Sequence, residues 1–206
     1  MASSSASSDP KFRSYKWGCG LLAAVVQSAI YFGVGHLHLA RSTELLRTRL
    51  DDAIPFLPVT AWCYLPVYLA IFVIALAGFH DRRNFNRALS AFAFMMVIGV
   101  AGHLLVGAEY PRPLLKAPFA GVSERFLAWV QSIDPPGNVF PSLHVAHTSS
   151  LALFLHHENP RLGRVVIVLA LVLALSTLTT KQHFVADVLA GFALAALARW
   201  VVFRPR

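Results

Sequence analysis

Long apolar segments constrain this chain more than any other feature of its sequence. A helix needs about 20 predominantly apolar residues to cross the hydrocarbon core of a membrane. The long apolar runs do not alternate apolar with polar residues, as the strands of a membrane barrel do. The sequence therefore predicts an all-α fold, an integral membrane bundle of six transmembrane helices. The predicted spans are residues 17–39, 60–79, 88–107, 141–157, 163–180 and 184–203.

The composition also indicates a membrane protein. Hydrophobic residues make up 56% of the 206 residues and charged residues only 14%, whereas an ordinary soluble domain is about 45–50% apolar. Residues 1–10 are rich in serine and lack apolar periodicity, so we expect a disordered tail there. Residues 11–206 are predicted to form a single membrane domain. Cys19 and Cys63 both fall in apolar segments, which gives no support to a disulfide framework.

The distribution of Lys and Arg predicts the orientation of the bundle. An even number of spans places both termini on one side, and Lys and Arg concentrate in cytoplasmic flanks. Residues 11–16, 82–87, 161–164 and 199–206 carry more of these cations than the flanks on the opposite side. Both termini are therefore predicted to be cytoplasmic, and the loop 108–140 is predicted to be extracytoplasmic.

Nucleic acid and metal ions are not expected as partners. The cytoplasmic flanks account for the net charge of +8, and no basic stripe interleaved with exposed aromatic residues indicates nucleic-acid binding. His144, His147 and His183 are the histidines that we expect to cluster, and an anion-binding site accounts for two of them. We therefore expect no metal ion and no cofactor.

An ionisable pair stands at the start of the sixth predicted span. Asp187 follows His183 by four residues, so on a helix that has begun at His183 both side chains share one face. The carboxylate can then accept the imidazole N–H, which leaves the other ring nitrogen as a nucleophile or base. An Asp at the centre of a membrane helix costs about 2.5–3.5 kcal/mol and is a candidate functional residue. The alternative is that Asp187 only satisfies a polar neighbour between helices.

A second histidine opens the fourth predicted span. His144 follows Pro141 and Ser142, a pattern typical of a helix start. The free N–H groups and positive dipole end of a helix N-terminus bind anions, so we expect a phosphate group beside His144. A single histidine in a membrane helix is more often a packing residue. The His183 and Asp187 pair on the same predicted membrane face favours a catalytic role instead.

Two cations are candidates for contact with this phosphate group. Arg112 lies between Pro111 and Pro113, which restrict the backbone and allow the guanidinium to be aimed at phosphate oxygens. Lys181 precedes His183 by two residues. Its alternative role is that of a lysine that extends its ammonium group to the membrane interface.

Three short motifs resemble the signature of the type 2 phosphatidic acid phosphatase superfamily. The first is Arg-Pro at 112–113 and the second is Pro-Ser-Leu-His at 141–144. In the third, Ser176, His183 and Asp187 follow one another at the spacing of the family motif. The resemblance covers the chain from the third span onward and agrees with a six-helix fold.

This resemblance implies roles for the candidate residues. His183 would be the nucleophile that forms a phosphohistidine, His144 the general acid for the leaving oxygen, and Asp187 the residue that orients His183. With Lys181 added from its position, the substrate phosphate would be bound by Arg112, Ser142, Lys181 and Ser176.

The chain departs from the family pattern at three positions. Leu105 and Thr177 stand where the family has a lysine and an arginine, and Leu143 replaces a glycine. Two phosphate-binding cations of the family are thus missing. We expect Lys181 or Lys116 to substitute for them.

The variant motifs are similar to those of one branch of the superfamily. Phe-Pro-Ser-Leu-His at 140–144 and Ser-Thr at 176–177 resemble the inositol phosphorylceramide synthase branch. The resemblance implies transfer of a phosphorylated head group to a lipid hydroxyl rather than to water.

The sequence thus predicts an enzyme, a membrane lipid-phosphate phosphatase that acts through a phosphohistidine at the extracytoplasmic face. Its expected partners are membrane lipids, with a lipid phosphate or phospholipid as substrate. Water is slightly favoured as the acceptor, because a single sizeable outer loop offers little room for a dedicated acceptor site. The alternatives are a head-group phosphotransferase and a non-catalytic lipid-binding or transport protein that uses the same anion pocket.

Overall fold

The computed structural model describes residues 9–37 and 45–203. Within these ranges the chain forms eight α-helices and no β-strand, which confirms the all-α prediction. A 3₁₀ turn at Pro58–Thr60 leads into the third helix. The helices are α1 Pro10–Gly35, α2 Arg49–Ala53, α3 Ala61–Gly78, α4 Arg82–Val106, α5 Val122–Ile133, α6 Leu143–Glu158, α7 Pro160–Thr179 and α8 Val185–Phe203.

Five helical segments in the described ranges are long and apolar enough to cross a membrane. They are α1, the 3₁₀ turn with α3, α4, α7 and α8, and many of their leucines and valines are exposed, as contact with lipid allows. Helix α6 occupies the remaining predicted position, but its 16 residues give a length of about 24 Å against a hydrocarbon core of about 30 Å. These features are those of a multi-pass membrane protein. A sixth span and cytoplasmic termini stay predictions.

Short polar side chains determine where the long helices begin. Asp9 accepts a hydrogen bond from the backbone N–H of Lys11 at 2.9 Å, and Asp81 accepts one from Asn84 at 3.1 Å. Such caps satisfy backbone donors that have no partner within the helix. Asp9 and Pro10, predicted as the end of a disordered tail, therefore belong to the start of α1. Residues 1–8 of that tail and residues 38–39 of the first predicted span lie outside the described residues.

Helix α6 is the centre of the bundle. It packs against α3, α4, α7 and α8, so residues around its whole circumference are buried, among them Ala146, Phe154 and Leu155. A central helix surrounded in this way holds its first turn in a fixed position. The candidate residue His144 lies in that turn.

The predicted outer loop 108–140 contains the amphipathic helix α5. Leu127 and Val130 are buried, and α5 packs against the start of α3, where Phe126 stacks on Trp62 with ring centroids 4.1 Å apart. Trp129 on the other face is exposed, which is typical of a helix at a membrane interface. Helix α5 ends at Ile133 and thereby places the residues that follow it over the starts of the central helices.

Candidate active site

The two candidate catalytic histidines meet at the end of the bundle where α6 and α8 begin. The imidazole rings of His144 and His183 have centroids 5.8 Å apart. The backbone N–H of Ser142 donates to the carbonyl oxygen of Asp187 at 3.1 Å, which links the two helix starts. A Cβ atom on Gly191 would lie 2.7 Å from the carbonyl oxygen of Ser142. Glycine at this position therefore permits the close approach of α8 to α6.

His183 and Asp187 form a buried pair. Nδ1 of His183 lies 3.4 Å from Oδ2 of Asp187, and the same oxygen accepts a hydrogen bond from the backbone N–H of Phe184 at 2.7 Å. Helix α8 begins only at Val185, so the carboxylate reaches back across the helix start instead of along one helical face. Burial lowers the pKa of His183 to about 4. Its imidazole is therefore neutral near pH 7 and keeps a lone pair for nucleophilic attack.

His144 is enclosed by three tyrosine rings. The ring centroids of Tyr31, Tyr64 and Tyr68 lie 5.7, 5.0 and 4.8 Å from that of His144. The hydroxyl oxygen of Tyr64 is 3.1 Å from Nε2 of His144 and also donates to a carboxylate oxygen of Asp134 at 2.9 Å. A tyrosine has one hydroxyl hydrogen, so the histidine nitrogen must donate to the Tyr64 oxygen. Nδ1 lies farther from this oxygen, at 3.4 Å, so we assign the proton of neutral His144 to Nε2 and leave Nδ1 to exchange a proton with substrate.

Asp134 is a site residue that the sequence did not reveal. Its Oδ1 accepts a hydrogen bond from the hydroxyl of Tyr31 at 2.7 Å, and its Oδ2 accepts from Tyr64. Burial alone would raise the pKa of this carboxyl, but the Arg112 guanidinium and the nearby His144 outweigh it, so the pKa lies below its ordinary value. Asp134 is therefore an ionised carboxylate at the centre of the network. In sequence it is one acid among several in the predicted outer segment, marked only by its place before two prolines.

Arg112 is held beside this carboxylate. Its Nη1 donates to the backbone carbonyl of Asp134 at 2.6 Å, and its Nη2 lies 3.3 Å from the carbonyl of Pro135 and 3.4 Å from Oδ2 of Asp134. The side chain is only 6% exposed. Its Nε is buried without a hydrogen-bond partner among the described residues. The guanidinium thus lies at the end of the bundle where α6 and α8 begin, as predicted, and the Asp134 carboxylate balances its charge.

The two serines of the predicted phosphate set are bonded within their own helices. The Ser142 hydroxyl accepts from the backbone N–H of Val145 at 3.4 Å and caps α6. The Ser176 hydroxyl donates to the carbonyl of Leu173 at 2.7 Å and is buried. Thr177, at the position of the family arginine, makes the same kind of bond to Ala174. The hydroxyl hydrogens of Ser176 and Thr177 are therefore already donated within α7, whereas Ser142 only accepts among the described residues and keeps its hydroxyl hydrogen for a ligand.

Neither of the two lysines proposed as substitutes makes a hydrogen bond to His144 or His183 within the described residues. Lys181 has a φ of +56°, and its ammonium donates to the carbonyl oxygens of Asp51 and Ile54 at 2.7 and 2.6 Å. These carbonyls belong to the end of α2, a helix in a segment predicted as a loop. Lys116 is exposed. Leu105, where the family has its lysine, is 75% exposed on the outside of α4.

The third histidine that we expect to cluster, His147, makes no polar contact within the described part of the chain. His147 is fully buried one turn after His144, and its ring stacks on Phe92 with centroids 4.2 Å apart. Among the described residues, no group of three or more His, Cys, Asp or Glu side chains is arranged to hold a metal ion. His147 therefore functions as a packing residue of α6.

A cavity of about 160 Å³ adjoins His144 on the side of α1 and α3. We call it the His144 cavity. It could not be predicted from the sequence, because its walls come from helices that are separated along the chain. It is lined by residues of α1, α3, α5 and α6, including Gln27, Tyr31, Tyr64, Tyr68, Asp134 and His144.

The fold and site define a multi-pass membrane protein with two histidines and a buried carboxylate at one end of a helical bundle. The chain belongs to the PAP2 superfamily, whose sequence profile matches residues 36–201. This finding confirms the resemblance to the type 2 phosphatidic acid phosphatases and supports, as a general class, phosphatase or phosphotransferase activity on lipid phosphates.

The chain is also similar to an uncharacterised protein of Methanocaldococcus jannaschii. The two are 33% identical over 95 residues, which make up 44% of this chain and 38% of that protein. The chain therefore matches less than half the length of this relative. No solved structure matches the chain.

Proposed function

We propose that the protein is a membrane lipid-phosphate phosphatase that works by double displacement through a phosphohistidine on His183. The observation that carries the proposal is the placement of neutral His183, paired with Asp187, next to His144 in a chain of this superfamily. A neutral imidazole oriented by a carboxylate is suited to attack at phosphorus, and a second histidine is suited to move the proton.

In the first step, the free nitrogen of His183 attacks phosphorus while the bond from phosphorus to the lipid oxygen breaks. His144 enters this step as the imidazolium, with a second proton on Nδ1, and passes that proton to the departing oxygen. In the second step His144 removes a proton from water, the water oxygen bonds to phosphorus, and the bond between phosphorus and His183 breaks. The sequence of steps needs no metal ion and no cofactor.

We propose that Arg112 and the N-terminus of α6 at Ser142 stabilise the charge on the phosphate oxygens. Among the described residues, Nε of Arg112 has no hydrogen-bond partner, and Nη2 is a donor that a phosphate can share with the Asp134 carboxylate. Ser176, whose hydroxyl donates to Leu173 within α7, contacts phosphate only if that bond is given up. Lys181 reaches a phosphate only when its ammonium leaves the carbonyls of Asp51 and Ile54.

Head-group transfer to a lipid hydroxyl is the second candidate function. The His144 cavity favours it, because the cavity adjoins the residue that would activate an acceptor. The likeness of residues 140–144 to the inositol phosphorylceramide synthase branch favours it as well. A non-catalytic lipid-binding or transport protein would use the same residues without forming a phosphoenzyme.

A substrate comparison tests these functions. Purified protein in detergent is offered phosphatidic acid, a polyprenyl pyrophosphate, or phosphatidylinositol with a ceramide, and released phosphate, new lipids and acid-labile phosphoenzyme are measured. We expect phosphate release and phosphoenzyme with at least one donor. A new phospholipid would identify a transferase. Lipid binding without phosphoenzyme from any donor would contradict the enzyme proposal.

We further propose that the site faces the extracytoplasmic side, as the Lys and Arg distribution predicts. In a Cys19→Ala, Cys63→Ala background, we expect Leu114→Cys to react with a membrane-impermeant thiol reagent in intact cells. Arg83→Cys, which lies at the start of α4, should react only after the membrane is opened. Both positions are exposed, so the reverse labelling pattern would place the site in the cytoplasm.

A further inference from the structure

The His144 cavity has an apolar opening. Its rim is formed by Ser28 and Phe32 of α1, Leu69 of α3 and Ile133 of α5, and all four are exposed. Phe32, Leu69 and Ile133 make most of this rim apolar. Where these helices contact lipid, an alkyl chain can pass from the bilayer through this opening and stay in contact with apolar groups throughout.

The interior of the cavity is polar. Tyr68 accepts a hydrogen bond from Nε2 of Gln27 at 2.9 Å. Its own hydroxyl hydrogen has no acceptor among the described residues, so Tyr68 can donate it to a ligand. Tyr64 and His144 stand deeper, bonded to each other at 3.1 Å. A ligand with an apolar chain and one polar end therefore meets hydrogen-bonding groups only at its polar end.

The charges around the cavity favour a neutral polar end. The carboxylate of Asp134 lines the wall and disfavours an anion there. Its two oxygens already accept from Tyr31 and Tyr64, and Arg112 matches its charge, so a cation finds no free carboxylate. A hydroxyl group both donates and accepts, which suits Tyr68 and the unprotonated nitrogen of His144.

The size of the cavity limits what enters it. An engineered protein cavity of about 150 Å³ holds one benzene ring, and the His144 cavity measures about 160 Å³. It therefore accepts a group of roughly six non-hydrogen atoms. The rest of a longer chain has to leave through the rim between α1 and α3.

We propose that the His144 cavity binds the hydroxyl end of an aliphatic lipid alcohol, with its chain extending into the bilayer past Leu69. This assignment rests on the proposed function, because His144 exchanges the proton of that hydroxyl. When a lipid phosphate is cleaved, the departing oxygen takes the Nδ1 proton of the His144 imidazolium and occupies the cavity as the alcohol, which leaves Nδ1 unprotonated. When an alcohol accepts phosphate, its proton passes to His144, its oxygen bonds to phosphorus, and the bond from phosphorus to His183 breaks.

Photolabelling tests the site without turnover. The full-length protein in detergent is irradiated with hexadecanol that carries a diazirine near the hydroxyl, and in parallel with a hexadecane that carries the diazirine at the same place. We expect labelling of residues 27–32 and 64–69 by the alcohol, saturable by unlabelled hexadecanol, and not by the alkane. Equal labelling by both probes, or labelling that does not saturate, would overturn the proposal.

Two tryptophan variants provide the matched comparison. Leu69→Trp fills the rim, and we expect it to reduce saturable labelling at least about ten-fold, equivalent to roughly 1.4 kcal/mol. Leu175→Trp makes the same change at an exposed position of α7 that does not line the cavity, and it should label like the original protein. If Leu69→Trp melts at a much lower temperature, Ser28→Trp on the opposite rim replaces it. Unchanged labelling in a folded rim variant would overturn the proposal.

The source of the alcohol is identified by adding hexadecanol to turnover of phosphatidic acid. Formation of hexadecyl phosphate identifies the cavity as an acceptor site, and slower phosphate release without a new product identifies it as the site of the leaving alcohol. Both results support the cavity assignment. A protein that labels as expected but turns over no donor would contradict the proposed function and retain the binding site.

Discussion

We expect His183→Ala to form no phosphoenzyme and to lose turnover of every phosphate substrate by at least about 10⁴-fold, because removal of a nucleophile removes the covalent route. The measurement is acid-labile phosphoenzyme after rapid quenching, together with the steady-state rate of phosphate release. Phosphoenzyme at an unchanged level in His183→Ala would sink the assignment of the nucleophile.

His144→Ala should behave differently because His144 moves a proton and does not bond to phosphorus. We expect turnover of a natural lipid phosphate to fall by about 10²–10⁴-fold. Turnover of p-nitrophenyl phosphate should fall much less in its first step, since the nitrophenolate leaves without a proton. His156→Ala is the matched control, a histidine at the exposed far end of the same helix. An equal loss on both substrates would contradict the general-acid role.

The helices that the sequence predicted are those whose apolar runs are long. The predicted spans 60–79 and 184–203 differ from the helices Ala61–Gly78 and Val185–Phe203 by one residue at each shifted end. Helices α2 and α5 were missed because they are short or amphipathic and lie in segments with loop-like composition. Helix α6, Leu143–Glu158, begins two residues later and ends one residue later than the predicted span 141–157, because Ser142 is its N-cap.

The candidate catalytic residues were predictable where the signal is local. His183 and Asp187 are four residues apart, so a single sequence is enough to pair them. Asp134 was not predictable in this way, since its partners Tyr31 and Tyr64 are 103 and 70 residues away. A single sequence carries no information about which helices bring such residues together.

Lys181 illustrates the limit of local spacing. Two residues from His183, it was expected to share the phosphate site. The left-handed backbone at Lys181 turns its side chain to the end of α2. The sequence does not predict α2, so its carbonyl oxygens could not be predicted as partners of Lys181. Whether this lysine also binds phosphate stays a prediction.

Asp134 should matter more for stability than any exposed acid of the chain. Its side chain is 11% exposed and faces Arg112, whose side chain is 6% exposed. Removal of one partner from a buried pair leaves the other charge without compensation and typically costs about 3–5 kcal/mol. We therefore expect Asp134→Ala to lower the free energy of unfolding by about that amount, measured as a fall of the melting midpoint in detergent.

The matched control is the exposed ion pair of Arg47 and Asp52, whose oxygen and nitrogen lie 2.7 Å apart. Asp52 is 56% exposed, so water screens its charge and Asp52→Ala should cost no more than about 1 kcal/mol. A cost for Asp134→Ala within that same range would show that water or another group compensates Arg112.

A double variant separates the unpaired charge from lost packing. If the uncompensated guanidinium is the main cost, adding Arg112→Met to Asp134→Ala should recover part of the lost stability, because no buried charge then stays unpaired. Lost packing alone predicts instead that the double variant is less stable than either single variant. Asp134→Asn retains oxygen and nitrogen atoms beside Tyr31 and Tyr64 but not the charge, so it should fall between the original protein and Asp134→Ala. Activity should not rank these variants in the same order as stability. The contacts of Asp134 with Tyr31 and Tyr64 position His144, so every change at Asp134 disturbs His144. The double variant also lacks Arg112, for which the described groups at the start of α6 offer no substitute cation.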